Sequence, residues 1–201
     1  MKNVLLNVLA LGLVPVSLFA CGKSDKAADK KAAPAIDVAA VNALVPADLK
    51  AKVVFDKTDI IEERGHHNVT YTMAAPKGWT SKMKGFAALH PPDDANLGFF
   101  TELSVGSNCD GTCEPKEWGP VADKVNFKQF ANDKVIKNET TPTSRLLIAS
   151  RDDKTTFVVY AWWEKGAKRY NTCTATLDEA VKTAGDAFAK ACQAVAVSGE
   201  D

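Results

Sequence analysis

The stretch 155–164 constrains the fold of this chain more than any other part, because most of its side chains are apolar. Side chains alternate between the two faces of a β-strand. One face carries Phe157, Val159 and Trp163, and the other carries Val158, Tyr160 and Trp162. A strand that is apolar on both faces lies inside a sheet that is covered on both sides. The pattern therefore predicts a layered domain with this strand near its centre.

Alternating apolar and polar residues predict further strands along the chain. They lie at 53–61, 67–75, 79–89, 99–105, 144–151 and 168–177. Trp79 and Leu89 share one parity in the third of these segments, and Phe99 continues the parity of Leu103 in the fourth. Short turns join the predicted strands at 144–151, 155–164 and 168–177, which predicts two consecutive hairpins.

Helical spacing predicts a short helix within 36–50 and two main helices later in the chain. The first main helix begins at Pro115 or at Pro120 and ends near Ala131. The second begins at Asp178, a residue type that caps helix starts, and its apolar stripe includes Cys192. Together these elements predict an α+β fold, in which an antiparallel sheet of about six to eight strands packs with two main helices.

The amino-terminal segment has a charged start, an apolar run and then Leu18-Phe19-Ala20-Cys21. This arrangement resembles the lipobox of bacterial lipoprotein precursors. The resemblance implies cleavage before Cys21, diacylglycerol on its sulfur and a further acyl group, such as palmitate, on its amino terminus. A transmembrane helix and an ordinary signal peptide are the alternatives, but the apolar run is short for a bilayer span.

The lipoprotein resemblance divides the chain into three parts: a signal peptide at 1–20, a lipidated cysteine with a flexible tether at 21–35, and one domain at 36–201. The tether is rich in Lys, Ala and Asp and poor in large apolar residues, which is typical of disorder. Gly22 follows the cysteine where an aspartate would favour inner-membrane retention. For a Gram-negative envelope we therefore expect an outer-membrane anchor and a domain in the periplasm.

Four cysteines remain after Cys21, and an even number in an exported chain predicts disulfides. Cys109 and Cys113 flank a short turn sequence, and Cys173 precedes the final helix that carries Cys192. Three pairings are formally open, of which local pairing, Cys109–Cys113 with Cys173–Cys192, fits the spacing best. The second bridge would pin the final helix to the sheet.

The sequence from Tyr71 to Pro76-Lys77-Gly78-Trp79 precedes a meander of strands and a carboxy-terminal helix. Over residues 53–196 this layout resembles the PsbP-like α/β/α sandwich, which occurs in photosynthetic extrinsic subunits and in bacterial lipoproteins. The resemblance implies a non-enzymatic accessory or binding module. It does not extend to the cysteine pairs.

Few residues in the sequence are spaced as in a catalytic, redox or metal-binding site. The loop from Cys109 to Trp118 could hold a metal or a redox pair, but a second cysteine pair at metal spacing is missing. His90 lies near Asp93 and Asp94, without a nucleophile at triad spacing. We predict neither metal nor cofactor. If one sheet face is open, aromatic side chains could form a binding surface, the candidates being Trp79, Tyr160, Trp162 and Trp163.

These observations favour a membrane-anchored lipoprotein that acts as a non-enzymatic binding or accessory module in the bacterial envelope. Its expected partners are the membrane, through the anchor, and an envelope protein. Nucleic acid is excluded as a partner, because 25 basic and 25 acidic residues leave no net charge and the sequence has no concentrated basic face. The alternatives are a periplasmic protein that binds a small molecule or a metal, and an envelope hydrolase or redox enzyme.

Overall fold

Nine β-strands and two α-helices lie within the residues that this computed structural model describes, which are 35–108, 118, 127–164 and 167–199. In chain order they are α1 (Val38–Ala43), β1 (Phe55–Arg64), β2 (His67–Pro76), β3 (Ala88–Leu89), β4 (Glu102–Asn108), β5 (Lys134–Thr140), β6 (Ser144–Arg151), β7 (Thr155–Trp162), β8 (Tyr170–Leu177), α2 (Gly185–Gln193) and β9 (Ala196–Ser198). Short 3-10 helices occur at Asp93–Ala95, Phe127–Phe130 and Lys182–Ala184. The fold is therefore mixed, with more strand than helix.

The central layer is a six-stranded antiparallel sheet with the spatial order β3-β4-β8-β7-β6-β5. β7 lies between β6 and β8, away from both edges. Val158 on one face of β7 belongs to one core cluster, and Val159 on the other face belongs to a second cluster. The prediction of a central strand covered on both faces is confirmed.

A separate three-stranded antiparallel sheet has the order β1-β2-β9. The predicted single sheet of about six to eight strands is therefore corrected to two sheets. The physical reason is that alternation indicates a strand without indicating its partner. β9 was not predicted, and it pairs with the middle of β2, with Val197 opposite Tyr71.

Two apolar clusters stabilise these layers. The larger one joins both helices and the three-stranded sheet to one face of the six-stranded sheet, and it includes Val41, Phe55, Val158 and Phe188. The smaller one lies on the opposite face. Its buried members include Trp118, Phe127, Phe130, Val159, Trp163 and Tyr170.

A polar network around buried Tyr71 links the two sheets. The Tyr71 hydroxyl donates to Glu62 Oε2 at 2.8 Å and accepts from Arg64 Nη2 at 2.9 Å. Arg64 also donates to the carbonyl oxygen of Ser107 in β4 at 3.3 Å. Burial, reinforced by Glu62, raises the pKa of Tyr71 well above its usual value. The protonated phenol therefore joins β2 to β1 by hydrogen bonds, and Arg64, which it helps to position, joins β1 to β4.

Residues 79–89, which the sequence predicts as one strand, do not form a continuous strand. Only Ala88–Leu89 forms a strand, and Thr80 pairs with His90 in an isolated bridge. Between them the chain turns at Gly85, whose φ is +82°. Trp79 and Leu89 are both buried in the larger core, which agrees with their shared parity. They do not, however, lie on one strand.

α1 confirms the short helix predicted within 36–50, and the final helix, α2, is shorter than predicted because it begins at Gly185 rather than at Asp178. The Asp178 carboxylate accepts a hydrogen bond from the backbone nitrogen of Phe100 at 2.9 Å, so it does not cap the helix. The helix predicted from Pro115 or Pro120 lies mainly outside the described residues, and its described end is the 3-10 helix Phe127–Phe130.

Cys173 in β8 and Cys192 in α2 form a disulfide, as predicted, so the final helix is covalently attached to the sheet. The predicted Cys109–Cys113 pair, the signal peptide and Cys21 lie outside the described residues. Within the part of the chain that the structure describes, no helix is both long and apolar enough to span a bilayer.

Candidate functional site

A groove of about 590 Å³ lies where β4 and β7 begin and β8 ends. Its lining combines aromatic, basic, acidic and hydroxyl side chains, which are Lys82, His90, Phe99, Phe100, Glu102, Arg151, Thr155, Phe157, Thr176 and Asp178. We refer to this feature as the groove. Its volume falls in the range of sites that hold small ligands.

Three adjacent strands form the floor of the groove. Thr176 in β8 lies opposite Glu102 in β4 and opposite Phe157 in β7. Because cross-strand partners project from the same face of a sheet, these three side chains form one row. The row places a carboxylate, a hydroxyl and an aromatic ring side by side.

Phe99 and Phe100 form one wall of the groove, and we call this pair the aromatic tip. Phe99 is 85% exposed and Phe100 is 69% exposed. Their rings contact each other edge to face, with centroids 5.1 Å apart. Two neighbouring phenylalanines with this exposure leave apolar surface in contact with water, and burying that surface against a partner would be energetically favourable. Exposed apolar clusters of this kind mark interaction sites.

The loop that carries the aromatic tip is held by hydrogen bonds. The Phe100 backbone nitrogen donates to Asp178 Oδ2 at 2.9 Å, and the Asp178 nitrogen donates to Thr101 Oγ1 at 3.2 Å. Thr101 is fully buried and its hydroxyl donates to the Leu97 carbonyl oxygen at 2.6 Å. The backbone beneath the two rings is therefore fixed from both sides.

Arg151 is held over the groove by an acidic partner outside the lining. Its Nε and Nη2 atoms donate to the two carboxylate oxygens of Asp133 at 3.0 Å and 2.9 Å. This bidentate hydrogen bonding lowers the pKa of Asp133 and raises that of Arg151. The guanidinium carbon lies 4.7 Å from the centroid of Phe157. The cation therefore has a set position above an aromatic ring of the floor.

His90 is close to a different acid from the ones suggested by the sequence. Its Nε2 atom lies 3.7 Å from Glu102 Oε2, while Asp93 forms an ion pair with Lys82 at 3.4 Å. The reason is that His90 directly follows β3, which pairs with β4 at Leu103, next to Glu102. The candidate acid/base pair is thus His90 with Glu102, and at 3.7 Å it is not hydrogen bonded.

The aromatic residues predicted as a binding surface occupy three environments. Trp79 and Trp163 are buried in the larger and the smaller core, respectively, so they are core residues. Tyr160 and Trp162 stack with centroids 5.2 Å apart and are half-buried against the larger core. Burial raises the pKa of Tyr160. The structure does not bring these four side chains together.

The aromatic tip was not identified from the sequence as a site. The parity that Phe99 shares with Leu103 predicts that Phe99 lies on the apolar face of a strand. The available signal was the adjacent pair itself, directly after Gly98, whose φ is +98°. A glycine at such an angle marks a turn, and a turn displays the residues that follow it.

No group of three or more metal-ligating side chains occurs among the described residues. The loop from Cys109 to Trp118 is the sequence's candidate for metal or redox chemistry, and only Trp118 of it is described, as a buried residue. The remainder of that hypothesis lies outside the described residues.

The substitution Gly98→Ala is expected to destabilise the loop beneath the aromatic tip. An added Cβ atom would lie 2.3 Å from Asp178 Cβ, and the positive φ already disfavours a side chain. Strained backbone positions cost about 1–3 kcal/mol. Gly78→Ala is the matched control, because Gly78 has a φ of +81° with nothing within 4 Å of its added Cβ. Urea unfolding should show a larger loss for Gly98→Ala; equal losses would mean that the Asp178 contact is unimportant.

A scan against models of known protein families finds no match for this chain, and a search of curated proteins finds no significant match.

Proposed function

We propose that this chain is a lipoprotein of the bacterial envelope, anchored through Cys21, whose domain is a non-enzymatic module that binds an envelope protein partner at the groove. The single observation that carries the binding role is the aromatic tip, since Phe99 and Phe100 are exposed at 85% and 69% on a hydrogen-bonded loop. The anchor is supported by Leu18-Phe19-Ala20-Cys21. For a Gram-negative envelope, Gly22 supports an outer-membrane position with the domain in the periplasm.

The groove is better suited to binding than to catalysis. His90 and Glu102 are 3.7 Å apart, which is beyond hydrogen-bond distance, so the two side chains do not form an oriented acid/base pair. The described lining residues include neither a serine nor a cysteine. The groove instead supplies aromatic surface together with hydroxyl, cationic and anionic groups. These are the elements of recognition through several weak contacts.

We also propose that the fold is a variant of the PsbP-like sandwich. Tyr71 and Trp79, which bracket the quoted motif, are both buried in the larger core. Gly78 between them has a φ of +81°, which explains a glycine at that position. This proposal supports an accessory or binding role.

A small-molecule binder is the second candidate, and the size of the groove favours it. A volume of about 590 Å³ suits a compact ligand better than a broad protein surface. Phe157 would contact its apolar part, and Arg151 and Glu102 could satisfy polar groups of either charge.

One experiment tests the groove and separates the two kinds of occupant. A benzophenone amino acid replaces Thr176 on the groove floor, and the protein is irradiated in its native envelope. We expect an adduct at this position, because the floor is open and central to the site. A mass increase of a few hundred daltons would indicate a small ligand, and an increase of many kilodaltons would indicate a protein partner.

Thr58 provides the matched control position, since it is also a half-buried threonine on a strand but lies in the three-stranded sheet. Equal labelling at positions 58 and 176, or no labelling at either, would contradict a binding role for the groove.

A further inference from the structure

The aromatic tip is connected through a series of direct contacts to α1, which lies near the start of the described chain. The side chain of Asn42 in α1 forms hydrogen bonds to both the nitrogen and the carbonyl oxygen of Phe55, at 2.8 Å and 2.9 Å. Phe55 is the first residue of β1 and lies opposite Pro76, the last residue of β2. α1 is therefore fixed where the β1–β2 pair begins and ends.

The same end of the β1–β2 pair leads directly to the groove. The backbone nitrogen of Trp79 donates to the Pro76 carbonyl oxygen, and the next residue, Thr80, pairs with His90. His90 lines the groove together with Phe99 and Phe100. A short series of direct contacts thus connects α1, the first element of the domain, with the aromatic tip.

The proposed anchor restricts where this end of the domain can be. Residues 22–34 connect Cys21 to the described chain, and fully extended they span at most about 45 Å. Such a connection keeps the domain at a high effective concentration beside its own bilayer. A contact that would be too weak to bind a free protein to lipid is then sufficient to orient the anchored domain.

The charges around the tip favour an apolar contact over recognition of anionic headgroups. The groove contains basic Lys82 and Arg151, but also acidic Glu102 and Asp178, and both basic groups form ion pairs. Phosphate recognition requires a surplus of basic groups. The exposed rings instead provide apolar surface that can enter the boundary between headgroups and acyl chains.

We propose that Phe99 and Phe100 insert into the surface of the bilayer to which Cys21 is anchored, so that the groove opens at the lipid surface. This inference rests on the proposed lipid anchor, and it adds a specific membrane-contacting site and an orientation of the domain.

The test uses the full chain with its native anchor, reconstituted into vesicles of phosphatidylethanolamine and phosphatidylglycerol with either ordinary or brominated acyl chains. Phe99→Trp introduces a fluorescent reporter into the tip and keeps an aromatic side chain there. We expect its emission to shift to shorter wavelength on reconstitution and to be quenched by brominated lipid, because the ring leaves water for the acyl region. High salt should leave the quenching unchanged.

Ile136→Trp is the matched control. Ile136 is 58% exposed and lies in β5, at the opposite edge of the six-stranded sheet from β3. A tryptophan there should show no quenching. Absence of quenching at position 99, equal quenching at both positions, or loss of quenching in high salt would overturn the inference.

The membrane anchor is assessed separately in the same sample. Flotation of the vesicles and the intact mass of the protein report whether it remains bound and carries diacylglycerol on Cys21. Protein that does not float would contradict the proposed function and the inference that depends on it. Protein that floats without quenching at position 99 would contradict the tip contact alone.

Discussion

Replacing Phe188 with alanine is expected to lower the free energy of unfolding by about 3–5 kcal/mol. Phe188 is fully buried in α2 and lies at the junction of the helix with both sheets. Its ring contacts Phe55 edge to face with centroids 5.1 Å apart, and its centroid is 5.7 Å from that of Trp79. Alanine would leave a cavity beside both rings, so α2 would lose contacts with β1 and with the segment that follows β2.

Phe86→Ala is the matched control for this substitution, because Phe86 is 59% exposed. Its effect should stay within about 0.5 kcal/mol, as for most surface substitutions. The measurement is equilibrium unfolding in urea, with the slope compared between variants to check that unfolding remains two-state. A loss below about 1 kcal/mol for Phe188→Ala would mean that the cavity collapses.

Removing the disulfide with Cys173→Ala and Cys192→Ala is expected to cost about 3 kcal/mol. The two residues are 19 apart in sequence, so the bridge closes a loop that restricts the unfolded chain. Both side chains are fully buried, and alanine adds no polar group to the core. The variant should therefore fold, and it should unfold at a lower urea concentration.

Reductant provides an internal control for the disulfide. The oxidised native protein should lose stability on reduction, and the double alanine variant should lose less, because its Cys173–Cys192 bridge is already absent. The difference between the two responses isolates this bridge from any other cysteine pair. Equal responses of the two proteins to reductant would show that this disulfide contributes little to stability.

Strands that are buried on at least one face could be predicted from the sequence. β7 is apolar on both faces, and only a covered central position satisfies that pattern. The pairing of Cys173 with Cys192 also followed from local information, since one cysteine belongs to a strand and the other to the apolar stripe of the next main helix. Burial and short sequence separation were sufficient in both cases.

Elements defined by distant partners could not be predicted in this way. In β5 nearly every residue is exposed, so no periodic burial distinguishes it, and it exists because its backbone pairs with β6. The position of Phe99 depends on Asp178, which accepts a hydrogen bond from Phe100 across 78 residues of chain. The proximity of His90 to Glu102 likewise depends on the register of β3 and β4. No local sequence pattern predicts these long-range contacts.

The bulge in β5 has a consequence for neighbouring copies of the protein. The pairing of β5 with β6 shifts register between Val135 and Lys137, so Ile136 interrupts the regular ladder at the edge of the sheet. A regular edge offers its free backbone groups to an identical edge on a neighbouring molecule, and an irregular one does so poorly. The irregular edge therefore helps neighbouring copies to remain separate.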